Sequence, residues 1–389
     1  MSRAATTRRA AWSLLAGNFA IGSGVLAAAG SLNDIARDLQ VSVSGAGQLV
    51  SVGAVVMGLG APLLALVLGG MDRRRLLTLA LVWFAVGHAL SALAPSFAAL
   101  LPLRAATVLG AALFTPQAAA AIGAMSDEAD RGRSITFVFL GWSLASVLGM
   151  PLAAYLAETQ GWRHAFAAAT LVAAVAAVWV WRTVPDGVRP PAMDLSRWVA
   201  TLADRHLMGL VAITALSGAG QFTLMTYLAP YFRQVLGASP GEASGLFFWF
   251  GLCGVTGAVV MTRAVQRIGT AASVTLALMS MALSPLLWPL AGSVAAMALV
   301  LLPWGLGCFA ANSAQQARLA EAAPASANAL MALNTSAIYV GQGIGAAGGG
   351  AMVAAAGLTS LWPVALAWMG LAVMLSALLA RRAVRGLPR

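Results

Sequence analysis

Apolar runs of about 20 residues recur along almost the whole chain, and this pattern limits the possible fold more than any other feature. A helix of about 20 apolar residues is long enough to span the hydrocarbon core of a bilayer, whereas membrane β-strands would give alternating runs of about 10 residues. The sequence therefore predicts an all-α membrane protein with twelve transmembrane helices, numbered here as spans 1 to 12. The runs are 11–31, 46–69, 76–94, 98–125, 134–157, 164–181, 207–232, 243–265, 271–291, 294–316, 326–355 and 360–380.

The composition excludes a soluble protein of this length. Of the 389 residues, 60% are apolar and 9% are charged, whereas a soluble domain has about 25% charged residues. Too few polar side chains are present to cover the water-facing surface of one or two soluble domains.

The basic residues show how the spans are oriented. All 23 are arginines, and they form short clusters between the apolar runs rather than one patch, so we expect no nucleic-acid partner in spite of the net charge of +11. Cytoplasmic loops of membrane proteins are enriched in arginine. With the N-terminus inside, 19 arginines are cytoplasmic, Arg37, Arg163 and Arg233 are external, and Arg104 lies within a span. This predicts a multi-pass protein of the bacterial inner membrane with both termini in the cytoplasm.

The longest connection divides the chain into two halves. Residues 183–206 include Pro185, Pro190 and Pro191 and several aspartates, which is typical of a linker. We therefore predict an N-terminal six-helix bundle over 1–182, a cytoplasmic linker over 183–206 and a C-terminal six-helix bundle over 207–389. Two such halves indicate a duplicated transporter with its pathway between them.

Polar side chains within the spans indicate which helix faces avoid lipid, because a polar group in hydrocarbon costs free energy. Spans 1, 4, 7, 10 and 11 carry polar stripes at helical spacing, whereas spans 3, 6 and 12 are poorer in them. We expect the first group to line a substrate cavity and the second to face lipid. The alternative is that these groups hydrogen-bond between helices. The predicted cavity residues are Asn18, Thr107, Thr115, Ser217, Gln221, Trp304, Asn312, Thr335 and Tyr339.

Glycine and proline interrupt one span in each half. Gly141, Gly149 and Pro151 lie in span 5, and glycines recur every fourth residue from Gly341 to Gly349 in span 11. These residues permit close helix packing and bending. We expect span 5 to contain a hinge for the change between inward-open and outward-open states; the alternative is packing alone.

Four segments of the chain match sequence motifs of a known family. They resemble the major facilitator superfamily, and within it the 12-span drug:proton antiporters, especially the arabinose-efflux-like and chloramphenicol-resistance-like exporters. The resemblance covers essentially the whole chain. The segments are Gly60-Ala-Pro62 with Asp72-Arg-Arg-Arg75, then Arg104, then Gly141 to Gly149-Met-Pro151 with Gly161-Trp-Arg163, and finally Asn334-Thr-Ser336 with Tyr339 and Gly341 to Gly350.

The resemblance implies a major facilitator fold, alternating access and export driven by protons. It also implies that Arg73, Arg74 and Arg75 form a gating loop and that Arg104 takes part in proton coupling. The chain departs from the family pattern in the gating loop, where the family aspartate falls on Gly70.

The acidic residues constrain the substrate and the coupling mechanism. The chain has 12 of them, and none lies in the middle of a span, so no buried carboxylate can bind an organic cation. The candidates for proton coupling are Asp34, Arg104 and His88. The alternatives are that Asp34 is an exposed residue at a helix end, that His88 is structural, and that Arg104 extends its side chain to the interface.

Taken together, these features predict a secondary active transporter that exports a small non-cationic compound, of drug, sugar or nucleoside type, in exchange for protons. One alternative is an uncoupled facilitator or an importer of a small polar metabolite. Another is a non-transporting membrane receptor or assembly protein. We expect no enzyme activity, cofactor or metal; the expected partners are the lipid bilayer, the substrate and protons, and the expected functional unit is a monomer.

Overall fold

The computed structural model describes residues 3–68, 70–127, 130–189, 195–323 and 326–385, and nearly all of these residues are helical. This confirms the predicted all-α class. The chain divides into two compact units, Met1–Met193 and Asp194–Arg389, which are described separately below.

Eleven stretches of the described chain are long and apolar enough to cross a membrane. They correspond to all the predicted spans except span 11. That span is the helix Ala327–Ala356, which has 30 residues and is long enough to cross a bilayer. Its glycines and amide side chains make it less apolar than the other eleven.

The described residues of the N-terminal unit form eight α-helices. Helices α6 and α7 are parts of one span, and the short α2 extends the far end of α1. In this unit we call the side that holds the C-terminal end of α1 the distal side, and the side that holds its N-terminal end the proximal side. The helices are α1 (Arg3–Gly30), α2 (Leu32–Asp38), α3 (Val43–Leu68), α4 (Arg73–Ala92), α5 (Phe97–Met125), α6 (Arg131–Leu144), α7 (Met150–Gln160) and α8 (Trp162–Thr183).

The C-terminal unit begins with a short helix that no apolar run indicated. This helix, α9, lies inside the predicted linker 183–206, so the linker is not wholly irregular. The helices are α9 (Leu195–Ala203), α10 (Arg205–Met225), α11 (Leu228–Gln234), α12 (Pro240–Ile268), α13 (Thr270–Leu287), α14 (Val294–Ala322), α15 (Ala327–Ala356) and α16 (Leu361–Arg385).

Several helices extend beyond the predicted spans. Helix α1 begins at Arg3 rather than at residue 11, and its exposed residues Arg8 and Arg9 are still helical. An apolar run ends at the first charged residues, whereas the backbone hydrogen bonds of the helix continue through them. Of the predicted linker prolines, Pro190 and Pro191 lie outside the described residues.

A π-helical turn interrupts span 5. Helix α6 ends at Leu144, the turn covers Ala145–Gly149, and α7 begins at Met150. Pro151 follows directly and has no N–H with which to continue the regular hydrogen-bond ladder. Turns of this kind bend helices and are frequent at functional sites, and this one falls at the predicted hinge.

Glycines allow the closest helix contacts in both units. A Cβ atom at Gly141 would lie 2.3 Å from the Leu15 carbonyl oxygen of α1. In the C-terminal unit, a Cβ atom at Gly345 would lie 2.2 Å from the Ala219 carbonyl oxygen of α10. Both contacts are too short for any side chain, so span 5 packs directly on α1 and span 11 directly on α10.

Candidate functional site

Arg104 lies inside the N-terminal unit and is 2% exposed. From α5 it donates hydrogen bonds to two carbonyl oxygens of α1, through Nη1 to Gly24 at 3.1 Å and through Nη2 to Val25 at 2.8 Å. Among the described residues it forms no ion pair. The interpretation that Arg104 extends to the membrane interface is therefore wrong, because its charge is held against the backbone of α1.

His88 lies beside Arg104 and is completely buried. Its Nδ1 atom is 2.9 Å from the Phe84 carbonyl oxygen, and its Nε2 atom is 3.2 Å from the same Gly24 oxygen that Arg104 contacts. The ring also packs on the rings of Phe84 and Phe166. Thus two of the three predicted proton-coupling residues meet at one carbonyl group of α1.

Span 3, which we predicted to face lipid, has two different faces. Trp83, Val86 and Leu90 of α4 are exposed on one side, while His88 is buried on the other. The polar content of the whole span indicated a lipid-facing helix but could not show that its single histidine points inward.

Thr107 lies at the contact between α5 and α4. Its hydroxyl donates to the Leu103 carbonyl oxygen at 2.6 Å, and a Cβ atom at Gly87 would lie 2.3 Å from Thr107 Oγ1. In this structure Thr107 therefore packs against span 3 rather than lining an open surface.

Asn18 and Thr115 form a buried hydrogen-bonded group in the N-terminal unit. Thr115 Oγ1 donates to Asn18 Oδ1 at 2.8 Å, and Asn18 Nδ2 donates to the Val138 carbonyl oxygen at 3.1 Å. Trp142 Nε1, which the sequence did not single out, donates to Thr115 Oγ1 at 3.2 Å. For these two residues the structure shows the alternative arrangement, hydrogen bonds between helices.

Two predicted cavity residues of the C-terminal unit also meet. Trp304 Nε1 of α14 donates to Gln221 Oε1 of α10 over 3.5 Å, and the indole packs edge-on against the ring of Phe250 with centroids 4.9 Å apart. The Trp304 side chain is only 1% exposed, so in this structure the amide and the indole contact each other and Phe250 rather than an open surface. A hydroxylated ring could hydrogen-bond and stack on these groups only where the indole becomes accessible.

The other predicted cavity residues of this unit do not join that pair. Ser217 and Thr335 donate to backbone oxygens of their own helices, at 3.1 and 2.9 Å. Asn312 is exposed and accepts from Gln316 at 3.4 Å, and Tyr339 is buried. A hydroxyl group that donates to a carbonyl oxygen of its own helix needs no other hydrogen-bond partner. The spacing of Ser217 and Thr335 therefore gave little information about a cavity.

The gating loop is joined to the segment that follows span 6. Asp72 caps α4 by accepting from the backbone N–H groups of Arg74 at 3.0 Å and Arg75 at 3.4 Å. Its other oxygen accepts from the backbone N–H of Gly187 at 2.5 Å. Asp72 therefore stabilises the start of α4 and binds the later segment at the same time.

Arg74 provides a second connection on this side. Its Nη1 atom forms an ion pair with Asp186 at 2.7 Å, its Nε donates to the Trp181 carbonyl oxygen at 2.7 Å, and its guanidinium stacks on the Trp181 ring. Asp186 thus supplies a carboxylate to a loop that has Gly70 at the family's aspartate position. We call Asp72, Arg74 and Asp186 the proximal clamp.

The first arginine of the loop has a different environment. Arg73 is 3% exposed, donates from Nη1 to the Met71 carbonyl oxygen at 2.7 Å, and donates from its backbone N–H to the Val188 oxygen at 3.0 Å. The three arginines were predicted as one basic cluster, but Arg73 is buried while Arg75 is exposed.

The distal side carries its own set of charged contacts. Asp38, the last residue of α2, pairs with Arg163 and accepts from Trp162 Nε1 at 2.9 Å, while Arg163 Nη2 donates to the Ala94 carbonyl oxygen at 3.1 Å. These residues, which we call the distal brace, connect the end of α2, the start of α8 and the turn after α4. Two hydrogen bonds lower the pKa of Asp38 below its ordinary value. The bond from Arg163 has the larger effect and the bond from Trp162 the smaller one.

Asp34 is close to the distal brace. Its side chain is buried and pairs with the exposed Arg37, so the interpretation of Asp34 as an exposed helix-end residue is wrong. Both residues line a cleft of about 490 Å³ that also borders the distal brace. Within the described residues, no group of His, Cys, Asp and Glu side chains could hold a metal ion.

Comparisons with known proteins agree with this architecture. The profile of the Major Facilitator Superfamily matches residues 13–333. The inner membrane transport protein YdhP of Escherichia coli K12 is 29% identical over 373 residues, covering 95% of each chain. A "Probable sugar efflux transporter" of Helicobacter pylori strain HPAG1 is 26% identical over 327 residues, covering 84% of each chain.

A solved structure shows the same fold. The crystal structure of a D-xylose–proton symporter superposes with a TM-score of 0.76 at 19% identity, over 94% of this chain and 96% of the other. The chain is a membrane transporter and not an enzyme, which also removes the alternative of a non-transporting receptor. It belongs to the Major Facilitator Superfamily.

Proposed function

We propose that this chain is a secondary active exporter, which moves a small non-cationic compound out of the cell by alternating access in exchange for protons. In this proposal the bundles 1–182 and 207–389, joined by the linker 183–206, lie in the bacterial inner membrane. Both termini are cytoplasmic and the functional unit is a monomer.

The distribution of charge carries the choice of substrate class. Arg104 is a buried cation within a span. Each acidic residue that the structure describes lies in a loop, in α2, or in the first or last turn of a longer helix. An organic cation in the spans would meet a positive charge and no carboxylate, which is costly in a medium of low dielectric. A neutral, zwitterionic or anionic compound avoids this cost.

The neutral polar groups support a hydroxylated compound. The Gln221–Trp304 pair offers an amide and an indole N–H within one unit, and such groups bind sugar-like or nucleoside-like molecules by hydrogen bonding and stacking. The name of the Helicobacter pylori relative, a sugar efflux transporter, supports both export and this class. A small drug of similar polarity is the other member of the proposed range.

The remaining predicted residues take conformational roles in this proposal. Arg73, Arg74 and Arg75 hold the proximal loop, and Gly141, Gly149 and Pro151 form the bending region of span 5. Asp34, Arg104 and His88 are the candidates for coupling to protons.

The test uses energised inverted membrane vesicles that contain the protein, with a dye that reports internal acidity. A sugar, a nucleoside, a phenicol and a lipophilic cation are added in turn. We expect proton release from the vesicles with one of the first three compounds and none with the lipophilic cation. Strong proton-driven uptake of the cation would contradict the proposed substrate class.

A pair of variants tests the binding residues in the same vesicles. Gln221→Leu removes the acceptor of the Trp304 N–H, and we expect the apparent KM for the substrate to rise about tenfold, which corresponds to about 1.4 kcal/mol. Gln266→Leu, which changes an exposed amide in the last turn of α12, is the control and should retain the wild-type KM. Equal KM values for both variants would remove Gln221 from the proposed site.

A second candidate is an uncoupled facilitator. It is favoured by the absence of a described carboxylate from the middle of the spans. In that case substrate flux would continue at the same rate after the proton gradient is collapsed, and no compound would release protons from the vesicles.

A further inference from the structure

We propose that His88 binds the transported proton, and that a proton on His88 and the contact of Arg104 with α1 exclude each other. This inference rests on the proposed exchange of substrate for protons and names the residues that perform it. It is carried by the geometry around one acceptor, the Gly24 carbonyl oxygen, which lies 3.1 Å from Arg104 Nη1 and 3.2 Å from His88 Nε2.

The surroundings of the imidazole have room for one additional proton. Both ring nitrogens of His88 lie within hydrogen-bond distance of a carbonyl oxygen, Phe84 on its own helix and Gly24 on α1. A neutral imidazole has one N–H and can donate to only one of them, while its other nitrogen presents a lone pair to an oxygen. An imidazolium would donate to both. The carbonyl groups therefore suit the charged form better than the neutral form.

Arg104 acts against that proton. Its guanidinium is always charged and donates to the same Gly24 oxygen, so protonation would place two cations on one acceptor in buried surroundings, where charges are poorly screened. Among the described residues, Arg104 is the charged group that faces His88. The other neighbours of His88 are uncharged: α1 contributes the Gly24 carbonyl group and α8 contributes the ring of Phe166.

The two arrangements therefore alternate. In the structure described here, Arg104 holds α1, and we assign the neutral form of His88 to this arrangement. When His88 takes up one proton from one side of the membrane, the imidazolium keeps the Gly24 oxygen and Arg104 leaves α1. When Arg104 returns, the same proton leaves His88 toward the other side. One proton is bound and one is released in each cycle, and no other group changes its charge.

The position of α1 connects this exchange to a conformational change. Gly141 of α6 and Gly149, the last residue of the π-helical turn, pack directly on α1 at Leu15 and Ser23. Release of α1 by Arg104 would thus act on a helix that packs against the bend of span 5.

His88 is distinguished from the other two histidines by its position. His164 and His206 are exposed, so they serve as matched controls. The first experiment measures substrate-dependent proton release and gradient-independent substrate exchange in proteoliposomes, for wild type, His88→Gln and His164→Gln. We expect His88→Gln to lose at least tenfold in proton release while it keeps substrate exchange, and His164→Gln to match wild type.

The outcomes separate this inference from the proposed function. If wild type releases no protons with any substrate, the proposed proton exchange fails. If wild type releases protons and His88→Gln does so with the same pH profile, the exchange stands and the role of His88 is overturned.

A second measurement does not depend on a His88 variant folding or on transport. The double variant His164→Gln/His206→Gln leaves His88 as the sole histidine of the three, and its imidazole can be followed by NMR after isotope labelling. We expect its protonation to begin at a higher pH when Arg104→Gln is added, because the competing cation is gone. An unchanged titration would overturn the mutual exclusion.

Discussion

At the scale of single residues, two buried arginines of the described chain, Arg104 and Arg318, donate to neutral oxygens. Arg104 donates to carbonyl groups of α1, and Arg318 of α14 donates to the hydroxyl and the carbonyl oxygen of Ser376 at 3.0 and 3.5 Å. These oxygens accept from the N–H groups but carry no full negative charge. The charge of the guanidinium therefore stays uncompensated, so a second charge nearby has a large effect.

The exposed ion pair of the distal brace gives a prediction at this scale. Because the pKa of Asp38 is lowered in the folded protein, its stabilising contribution is present above the pKa of an unfolded aspartate, about 3.9, and is lost as pH falls through the lower folded value. Asp38→Asn should cost about 0.5–1 kcal/mol between pH 5 and 7. The stability difference from wild type should shrink only below about pH 4.

Thermal unfolding of the purified protein between pH 3 and 7 measures this effect. Asp127→Asn, which changes an exposed aspartate on the proximal side, is the control and should follow the wild-type curve. If the stability difference between Asp38→Asn and wild type already disappears as the pH falls from 7 to 5, the Asp38 contact does not act as described.

The residue scale is also where the sequence was least informative. The polar stripes included Gln221 and Trp304, which do meet in the structure. They could not show that His88 and Arg104 meet at Gly24, because that contact depends on how three helices far apart in sequence rotate against one another. Nor could they distinguish Asn18 and Thr115 facing a cavity from the same residues bonding to each other.

At the scale of helices, the two units use different means to bring corresponding spans together. In the C-terminal unit the glycines of α15 follow α10 over several turns without a break in the helix. In the N-terminal unit span 5 contacts α1 at Gly141 and at Gly149, and Gly149 is the last residue of its π-helical turn. The apolar pattern predicted both helices, but a π-helical turn leaves hydropathy unchanged and was visible only as the nearby glycine and proline.

Two neighbouring glycines of α15 test the importance of this packing. Gly345→Ala would place a Cβ atom 2.2 Å from the Ala219 oxygen, so α15 and α10 must separate, at a cost of about 1–3 kcal/mol. At Gly348 a Cβ atom meets nothing within 4 Å, so Gly348→Ala should be neutral or slightly stabilising because alanine favours helix. Thermal unfolding in detergent compares the two, and equal melting temperatures would contradict the close packing.

At the scale of the whole molecule, charge at the ends of the spans organises the N-terminal unit. The proximal clamp joins the loop before α4 to the segment after α8, and the distal brace joins the end of α2, the turn after α4 and the start of α8. The number of arginines in each loop predicted which loops lie on the same side of the membrane, and this comparison needs only the sequence. It could not predict that Asp186 takes the place of the missing loop acid, since that pairing crosses more than one hundred residues.

The predicted orientation can be tested on this scale. In a background with Cys253→Ala and Cys308→Ala, a cysteine replaces either Gln160 on the distal side or Arg189 on the proximal side, both of which are exposed. An impermeant thiol reagent added to intact cells should label Gln160→Cys and should reach Arg189→Cys only after permeabilisation. The reverse pattern would place the termini outside the cell.

The π-helical turn also determines the register of everything that follows it in span 5. Such a turn accommodates one more residue than a regular α-helical turn, and each residue advances an α-helix by about 100°. A deletion of one residue within Ala145–Gly149 would therefore leave a span of nearly the same length and hydropathy. It would rotate Met150–Gln160 about its axis by about a quarter turn or more, and the chain would then enter α8, which begins with Trp162 and Arg163, from a different face of the helix. A change in the length of this short segment should therefore disturb the fold more than a change in its composition.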